Sequence, residues 1–232
     1  MPSIMDFPLP QLLNLAAHIG AGIAAICLGM AMLAGAKGTP THRSRGRLFA
    51  ALTLAVCGTA IIGNVFFRFV PVFAVLTVLV TYQLLSGWHV VYTKAAGPNR
   101  FDALLGVCAA AWTIGLVPVL LAAGDKGGAA PPVIHASLGA LAFLLAYDAA
   151  RWCFPTRWHA SLWRVEHIYK LVASLFGMLS AAVGNLVRVG QPWSQLLPSV
   201  LGMLAIALFI WRELRLRRRA ASAGAHCAVA SE

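Results

Sequence analysis

The feature that most constrains this chain is a series of seven apolar blocks, each long enough to cross a bilayer as a helix. The hydrocarbon core of a membrane is about 30 Å thick and needs about 20 helical residues. Hydrocarbon offers no partner for backbone N–H and C=O groups, so each block is predicted to be helical. The predicted spans are Gln11–Ala34, Leu48–Phe67, Val70–Tyr92, Asp102–Ala123, Pro132–Ala150, Trp163–Leu186 and Trp193–Trp211.

The composition excludes a water-soluble domain and argues against nucleic-acid binding. Of the 232 residues, 60% are hydrophobic and 11% are charged, whereas soluble domains carry roughly a quarter charged residues. The net charge is +11, but the basic residues stand between the apolar blocks and in the segment Arg212–Arg219. Basic residues in such places flank membrane spans. We therefore expect the lipid bilayer, and no nucleic acid, as the main partner.

The distribution of Lys and Arg predicts the orientation of the chain. If the N-terminus is outside, the outer segments carry only Arg68, Lys126 and Arg188, and the inner segments carry nearly all the other basic residues. The positive-inside rule then predicts a multi-pass protein of the cell inner membrane with a cytoplasmic C-terminus. Residues 1–212 form the predicted seven-span domain, and residues 213–232 are expected to be a disordered basic tail.

The chain carries a possible internal duplication of three helices. His18 in the first span and His135 in the fifth begin the similar segments HIGAGIAA and HASLGALA. The loops that are predicted to follow both contain His-x-x-x-x-Arg, at His42–Arg47 and at His159–Arg164. The alternative is chance similarity among segments rich in Ala, Gly and Leu. A duplication predicts two parallel units, 11–92 and 132–211, joined by the span 102–123.

Two histidines in the outer third of the membrane are the first candidate site. Ionisable residues inside spans are unfavourable and indicate function by default. His18 and His135 are predicted to lie at similar depth, and each is followed by a glycine four residues later. Two neutral imidazoles from facing helices can ligate a haem iron or contribute to a metal site. Haem b is therefore the leading cofactor candidate. The alternative is that each imidazole hydrogen-bonds to a neighbouring helix.

Further polar residues are repeat mates or lie near the inner side. Asn64 and Asn185 end their spans at the same side as the outer histidines and form a polar repeat pair. His89 and His167 are a second candidate cofactor pair at the inner side. Basic residues there are candidates for contacting a phosphate, a haem propionate or a lipid head group. These residues are His42, Arg43, Arg47, His159 and Arg164. The alternative is a solvated positive-inside flank.

No sequence motif indicates a particular enzyme. The chain has no Walker loop, no H-E-x-x-H and no G-x-S-x-G. Only Asp148 and Glu166 among the seven acidic residues approach the membrane interior, so a catalytic carboxylate pair is not expected. Glu166 and Lys170 are four residues apart on a predicted helix and are expected to pair with each other.

One loop motif resembles a known family. The first-span His18 is followed by a loop ending in H-R-x-x-G-R, which here is His42, Arg43, Gly46 and Arg47. This pattern resembles domain-of-unknown-function family 2306, a group of bacterial polytopic membrane proteins. The later segments HASLGALAFLLAYDAARW and WRVEHIYKLVASLFGMLSAAVGN also look like the closing spans of that family. The resemblance implies a multi-span protein of the bacterial cytoplasmic membrane and implies no catalytic residue.

These features lead to hypotheses from three classes. The first is a membrane redox protein that holds haem b or another ligand between pseudo-symmetric helices and exchanges electrons with a membrane partner or a quinone. The second is a transporter or sensor that binds a small molecule at the repeat interface. The third is a non-catalytic membrane partner with structural histidines.

Reporter fusions test the predicted orientation. Alkaline phosphatase depends on disulfides, which form outside the cytoplasm. We expect it to be inactive when fused after Gly97 or Arg219 and active when fused after Phe69. High phosphatase activity of the Gly97 fusion would reverse the orientation.

Overall fold

The computed structural model describes residues 7–123, 128–187 and 189–229, and these form seven long helices. The helices are α1 (Leu9–Ala34), α2 (Pro40–Ile62), α3 (Pro71–Thr93), α4 (Arg100–Ala123), α5 (Pro131–Ala150), α6 (Thr156–Leu186) and α7 (Trp193–Val229). All seven are long and apolar enough to cross a membrane, which confirms the predicted all-α polytopic fold. The predicted outer residues Lys126 and Arg188 lie outside the described residues.

Two helices begin earlier than the apolar pattern predicts. α2 begins at Pro40 and α6 at Thr156, seven or eight residues before the predicted spans. Thr39 caps α2 by accepting a hydrogen bond of 3.1 Å from the backbone N–H of His42, and a proline is well tolerated in a first turn. The two His-x-x-x-x-Arg segments therefore lie in helices rather than in loops. Hydropathy marks only the part of a helix that hydrocarbon surrounds.

The last helix also extends past its predicted end. The apolar block ends at Trp211, but α7 continues to Val229, so residues 213–229 are helical. Arg, Leu and Ala, which are good helix formers, make up most of this extension. The basic part of α7 thus continues directly from the membrane span.

Lys37 closes the end of α1. Its ammonium donates hydrogen bonds of 2.8 Å to the carbonyl oxygens of Leu33 and Gly35. These carbonyl oxygens have no partner within the helix, so the lysine satisfies them as a hydrogen-bond donor. Its positive charge also interacts favourably with the negative end of the helix dipole. Partial burial lowers the pKa of Lys37, and the positive charge of Arg212 lowers it further.

α3 is the central helix of the bundle. In its most apolar window 67% of the residues are buried, against 44% in α6 and at most 22% in the other spans. It packs against α2, α4, α5 and α6, and residues of α3 contribute to all three apolar clusters of the core. α3 and α6 also have the two lowest mean hydropathies, 1.5 and 1.3. Protein rather than lipid surrounds these two helices, so they can carry polar side chains.

Small residues allow α3 and α6 to approach each other closely. A Cβ atom added at Gly87 would lie 2.6 Å from Cβ of Lys170 and would also overlap Leu171. Beside this contact, His167 donates a hydrogen bond of 2.9 Å from Nδ1 to the carbonyl oxygen of Gly87. On the other side of α6, Ser180 donates to the carbonyl oxygen of Gln195 of α7 at 2.9 Å.

The two predicted three-helix units do not pack alike. α1 packs along α2, whereas its repeat mate α5 packs on α3 and α4. Long side chains, described below, connect α5 to α6. A Cβ atom added at Gly22 would lie 3.9 Å from the Val56 side chain of α2. A Cβ atom added at its repeat mate Gly139 would meet nothing within 4 Å. The duplication therefore stays a prediction from the sequence, because the repeat mates make different contacts in the two units.

Substitution of Gly87 tests the α3–α6 contact. We expect Gly87→Ala to lower the free energy of unfolding by about 1–3 kcal/mol, because an added methyl group overpacks this contact. The matched control is Gly115→Ala in α4, where an added Cβ meets nothing within 4 Å. Unfolding in mixed micelles measures both. Equal effects of the two substitutions would show that the close approach at Gly87 is not needed.

Candidate functional site

Four ionisable side chains are buried together beside the central helix. Asp148 is 9% exposed, Arg151 and Glu166 are 1% exposed, and Lys170 is 0% exposed. The end of α5 and the turn that follows it carry Asp148 and Arg151, and α6 carries Glu166 and Lys170. Charges in a low-dielectric interior are unfavourable unless they are paired and hydrogen-bonded. We call these four residues the buried charge network.

Lys170 and Asp148 form the tightest pair of the network. The Lys170 ammonium donates to both carboxylate oxygens of Asp148, over 2.7 Å to Oδ1 and 2.8 Å to Oδ2. The Tyr82 hydroxyl of α3 donates to Oδ2 at 2.8 Å. Arg151 lies 3.5 Å from Oδ1. The carboxylate of Asp148 thus joins α3, α5 and α6 at one point.

Arg151 connects this pair to a second carboxylate. Its Nη2 atom lies 2.9 Å from Oε2 of Glu166, and the Tyr147 hydroxyl donates to Oε1 at 2.9 Å. The contact between Arg151 and Oε2 is an ion pair without the alignment of a hydrogen bond, since Oε2 has no hydrogen-bond partner among the described residues. The two carboxylates balance the guanidinium and the ammonium, so the formal charge of the network is zero.

The expected pair of Glu166 with Lys170 is wrong. Lys170 turns to Asp148 and Glu166 turns to Arg151, although the two residues lie one turn apart on α6. A pair on one helix contributes only about 0.2–0.5 kcal/mol, and partners from another helix bring more hydrogen bonds to the same buried groups. The signal for this network was three ionisable residues within two consecutive predicted spans, whereas Arg151 follows the predicted end of its span. Their spacing along the chain did not reveal which would pair.

The network contacts α3 at the midpoint of that helix, although Asp148 and Arg151 lie at the end of α5 and in the turn after it. Tyr82 is 11 residues from each end of α3, which corresponds to about 16 Å of helix in either direction. That is about half the thickness of a hydrocarbon core. Ionisable groups buried inside a membrane-spanning bundle are unfavourable, and they line ion or substrate pathways and proton relays in membrane proteins.

The structure does not bring His18 and His135 together. The Nδ1 atom of His18 lies 3.1 Å from the carbonyl oxygen of Val56 and 2.9 Å from Oγ1 of Thr59, both on α2. His135 is exposed on α5, which packs on α3 and α4, whereas α1 packs on α2 and α6. One haem iron held between these two imidazoles does not fit this arrangement. His18 instead resembles the alternative, an imidazole that hydrogen-bonds to the next helix.

The inner pair, His89 and His167, is also separated. Nδ1 of His89 lies 3.1 Å from Oδ1 of Asp102, and its ring contacts that of Phe101, with the centroids 4.5 Å apart. His89 therefore faces α4, whereas His167 faces α3 at Gly87. Each imidazole has its own partner and neither contacts the other.

The candidate head-group contacts differ in exposure. Arg43 and Arg47 are exposed on the first turns of α2, which suits both a solvated flank and a lipid head group. Arg164 is exposed as well and lies 3.1 Å from Oε1 of Glu213 on α7. A surface ion pair of this kind contributes at most about 1 kcal/mol.

The two histidines of this group are less accessible. His42 is half-buried at the start of α2. His159 is buried, and its ring occupies the space beside Gly97, where an added Cβ would lie 2.7 Å from Cδ2. Gly97 has a φ of +79°, so both backbone conformation and space favour glycine there. A buried ring in this position suits packing better than contact with a head group.

Asn64 and Asn185 do not meet either. The side-chain oxygen of Asn64 accepts a hydrogen bond of 2.9 Å from the backbone N–H of Val70 and so closes the turn between α2 and α3. Asn185 is exposed and donates to the carbonyl oxygen of Ala181 in its own helix at 2.8 Å. The two amides have local roles in the structure.

A groove lies next to the network on the other side of Tyr82. It has a volume of about 320 Å³ and is formed by α2, α3 and α4. The Tyr82 ring is part of its wall, while the hydroxyl reaches Asp148. Sequence reasoning did not indicate this groove, because its residues are ordinary apolar residues of three different spans.

The described residues define the class of this protein. It is a multi-pass integral membrane protein of seven helices with a buried charge network. Within the described ranges, no group of three or more His, Cys, Asp or Glu side chains is arranged to hold a metal ion. Comparison of the chain with family models, with curated proteins and with solved structures found no match.

Removing one member of the tight pair tests the network. We expect Lys170→Met to lower the free energy of unfolding by about 3–5 kcal/mol, because Asp148 then loses its principal partner while buried. The double variant Asp148→Leu, Lys170→Met removes both charges and should be less destabilised than the single variant. Unfolding in mixed micelles measures the two values.

The surface pair provides the control for this measurement. Glu213→Gln removes the charge that pairs with Arg164 and Arg217 at the surface, and each such pair contributes at most about 1 kcal/mol. If the effects of the Asp148 and Lys170 substitutions simply add, the two side chains are not coupled and the network has no energetic role.

Proposed function

We propose that this protein is a proton-coupled transporter of small molecules, with the buried charge network as its coupling element. The observation that carries the proposal is the pair of Lys170 and Asp148, buried about halfway along the central helix and bonded to Tyr82. Ionisable side chains that face the interior of a helical bundle are typical of proton relays in pumps and transporters.

The link between protonation and motion follows from the contacts of α5. This helix packs on α3 and α4, and it is connected to α6 through Asp148, Arg151 and Tyr147. A proton added to Asp148 removes its negative charge and leaves the ammonium of Lys170 without a counter-ion. The connection of α5 to α6 then weakens, so protonation favours an arrangement in which the two helices move apart.

Three tyrosines support a role in proton handling. The hydroxyls of Tyr82 and Tyr147 each donate to one carboxylate of the network. A phenol hydroxyl can also accept, so both can turn towards a protonated carboxyl group. The hydroxyl of Tyr169 is buried and has no hydrogen-bond partner among the described residues, and its ring lies edge-on to that of Tyr147 at 6.0 Å. It is therefore a candidate third member of the relay.

The redox hypothesis is the alternative. It needs a haem b or another redox ligand and a membrane electron partner or quinone, and the separation of His18 from His135 does not favour it. A spectrum of the purified protein after haem supplementation tests it directly. A Soret band that disappears when both histidines are replaced by Ala would favour the redox hypothesis over ours.

Three further statements belong to this proposal. We propose that the protein resides in the cell inner membrane, with its N-terminus outside and its C-terminus in the cytoplasm. We also propose that it belongs with the bacterial proteins of domain-of-unknown-function family 2306 that its H-R-x-x-G-R segment resembles. A sensor that responds to protonation without transport would use the same network.

The protonation of Asp148 is the central test. In protein reconstituted into vesicles, an infrared difference spectrum recorded with and without an imposed proton gradient should contain the carbonyl band of a protonated carboxylic acid. The band is expected to disappear in Asp148→Asn and to remain in Glu213→Gln, which alters a carboxylate outside the network. If Asp148→Asn keeps the wild-type difference spectrum, Asp148 does not carry the proton and the proposal fails.

Proton flux provides the functional measurement. A potassium gradient with valinomycin makes the vesicle interior negative, and an enclosed dye reports acidification. We expect wild type and Glu213→Gln to acidify the interior, and Asp148→Asn to behave like empty vesicles. A carboxyl band that depends on Asp148, without proton flux in wild type, would favour the sensor over the transporter.

A further inference from the structure

The groove between α2, α3 and α4 opens sideways. Its rim consists of apolar side chains that are exposed and so face the lipid; they are Ile61, Val65, Phe69 and Trp112. Its floor is formed by buried residues of α3 and α4, including Ala74, Tyr82 and Ala109. A molecule dissolved in the bilayer can therefore enter this space without crossing an aqueous phase.

The polar groups of the groove are few and uncharged. Within the described part of the chain, its lining includes no Asp, Glu, Lys, Arg or His. Thr77 donates to the carbonyl oxygen of Phe73 at 2.7 Å, and Asn64 and Tyr82 have the partners described above. An ionic head group would find no counter-ion in this lining, and its transfer there would be strongly unfavourable.

Thr81 lines the groove, and rotation about its χ1 angle can turn its hydroxyl from Cys57 towards a ligand there. Its Oγ1 atom is buried and makes no hydrogen bond of ordinary geometry to any described residue; its polar neighbour is the thiol of Cys57, a weak hydrogen-bonding group. The hydroxyls of Thr53 and Thr93, which do not line the groove, also lack a partner among the described residues. Of the three hydroxyls in the described lining, those of Thr77 and Tyr82 donate to an oxygen atom, so the hydroxyl of Thr81 is the one that can bond to a ligand.

We propose that this groove binds an uncharged amphiphile, with an apolar chain and a head group that exchanges a hydrogen bond with Thr81. A quinone carbonyl and a long-chain alcohol have this chemistry. The volume of about 320 Å³ is at the small end of the range for ligand sites. It accommodates the head group and the first part of the chain, and the remainder of the chain extends into the bilayer. This inference rests on the proposed function and names its substrate class.

Tyr82 connects the groove to the buried charge network. Its ring forms part of the groove wall, and its hydroxyl passes Gly106, where an added Cβ would lie 3.7 Å away, before it reaches Asp148. A ligand that displaces the ring alters the hydrogen bond to the carboxylate. By linkage, protonation of Asp148 changes the affinity of the groove to the same extent that the ligand changes proton affinity.

Photolabelling tests the site with a dodecanol that carries a diazirine in its chain. In vesicles that contain the wild-type protein, we expect labelled peptides to be concentrated in the groove segments of α2, α3 and α4. The exposed faces of α1 and α5, which contact the same lipid, are the internal control. Equal labelling of all lipid-facing helices would mean that only annular lipid occupies the groove and would overturn the proposal.

Competition identifies the head group. An excess of a decyl-substituted benzoquinone should reduce labelling of the groove, whereas dodecanoate and dodecyltrimethylammonium, which carry charged head groups, should not. If the charged compounds compete as well as the quinone, the inference of an uncharged head group is wrong.

Thr81 substitutions test the hydrogen bond itself. Thr81→Val keeps the shape of the side chain and should weaken labelling of the groove by about tenfold, as expected for the loss of one buried hydrogen bond. Thr81→Ser should retain it. Thr113→Val, which removes a hydroxyl that already has a partner on α4, is the matched control. Unchanged labelling of Thr81→Val would refute the role of this hydroxyl.

The outcomes separate this inference from the proposed function. Selective labelling that depends on Thr81, together with an infrared spectrum unaffected by Asp148→Asn, would support the ligand site and reject proton coupling. A spectrum that depends on Asp148, together with unselective labelling, would support proton handling and reject the groove as the ligand site.

Discussion

Lipid cannot solvate charge, and the arrangement of the central helices follows from that constraint. Asp148, Arg151, Glu166 and Lys170 lie deep in the bundle, where each charge needs a partner of opposite sign. The partners come from both α5 and α6, and tyrosine hydroxyls complete the hydrogen bonds of the carboxylates. Ion pairs therefore connect two helices whose extensive packing is with other neighbours. An apolar connection would also hold the helices but would carry no ionisable group, and this difference is the reason for assigning the proposed function to the network.

The polarity of a helix and its position in the bundle are closely related here. α3 and α6 have the lowest mean hydropathies of the seven spans and the largest buried fractions. The outer helices must be apolar because lipid contacts them, whereas the inner ones are in contact with protein and can carry Tyr82 or Lys170. The groove and the charge network lie on two sides of α3, and the single side chain of Tyr82 contributes to both. The proposed ligand site and the proposed proton site thus share one side chain.

Prediction from the sequence succeeded where one interaction dominates and was incomplete where several compete. Transfer of apolar side chains into lipid outweighs other local preferences, so all seven spans were predictable. The starts of α2 and α6 were not, because Thr39 and the prolines at the helix starts extend the helices beyond the hydrocarbon. The pairing of Glu166 with Lys170 was wrong, because partners on α5 compete with the neighbour on the same helix. The depth of His18 and His135 was inferred from their place along each span, but which helix faces they occupy depends on packing.

The sequence alone determined that this chain has seven membrane helices, and it placed Asp148, Glu166 and Lys170, but not Arg151, within the spans. Both conclusions depend on the identity of residues and their distance along one helix, which the sequence contains. Tertiary structure alone decided that α3 is central, that Asp148 pairs with Lys170, that the outer histidines lie apart and that a groove borders Tyr82. Each of these depends on the rotation and order of helices around one another. Those are set by close packing at small residues such as Gly87 and by the pairing of buried charges, and neither leaves a periodic signal in the chain.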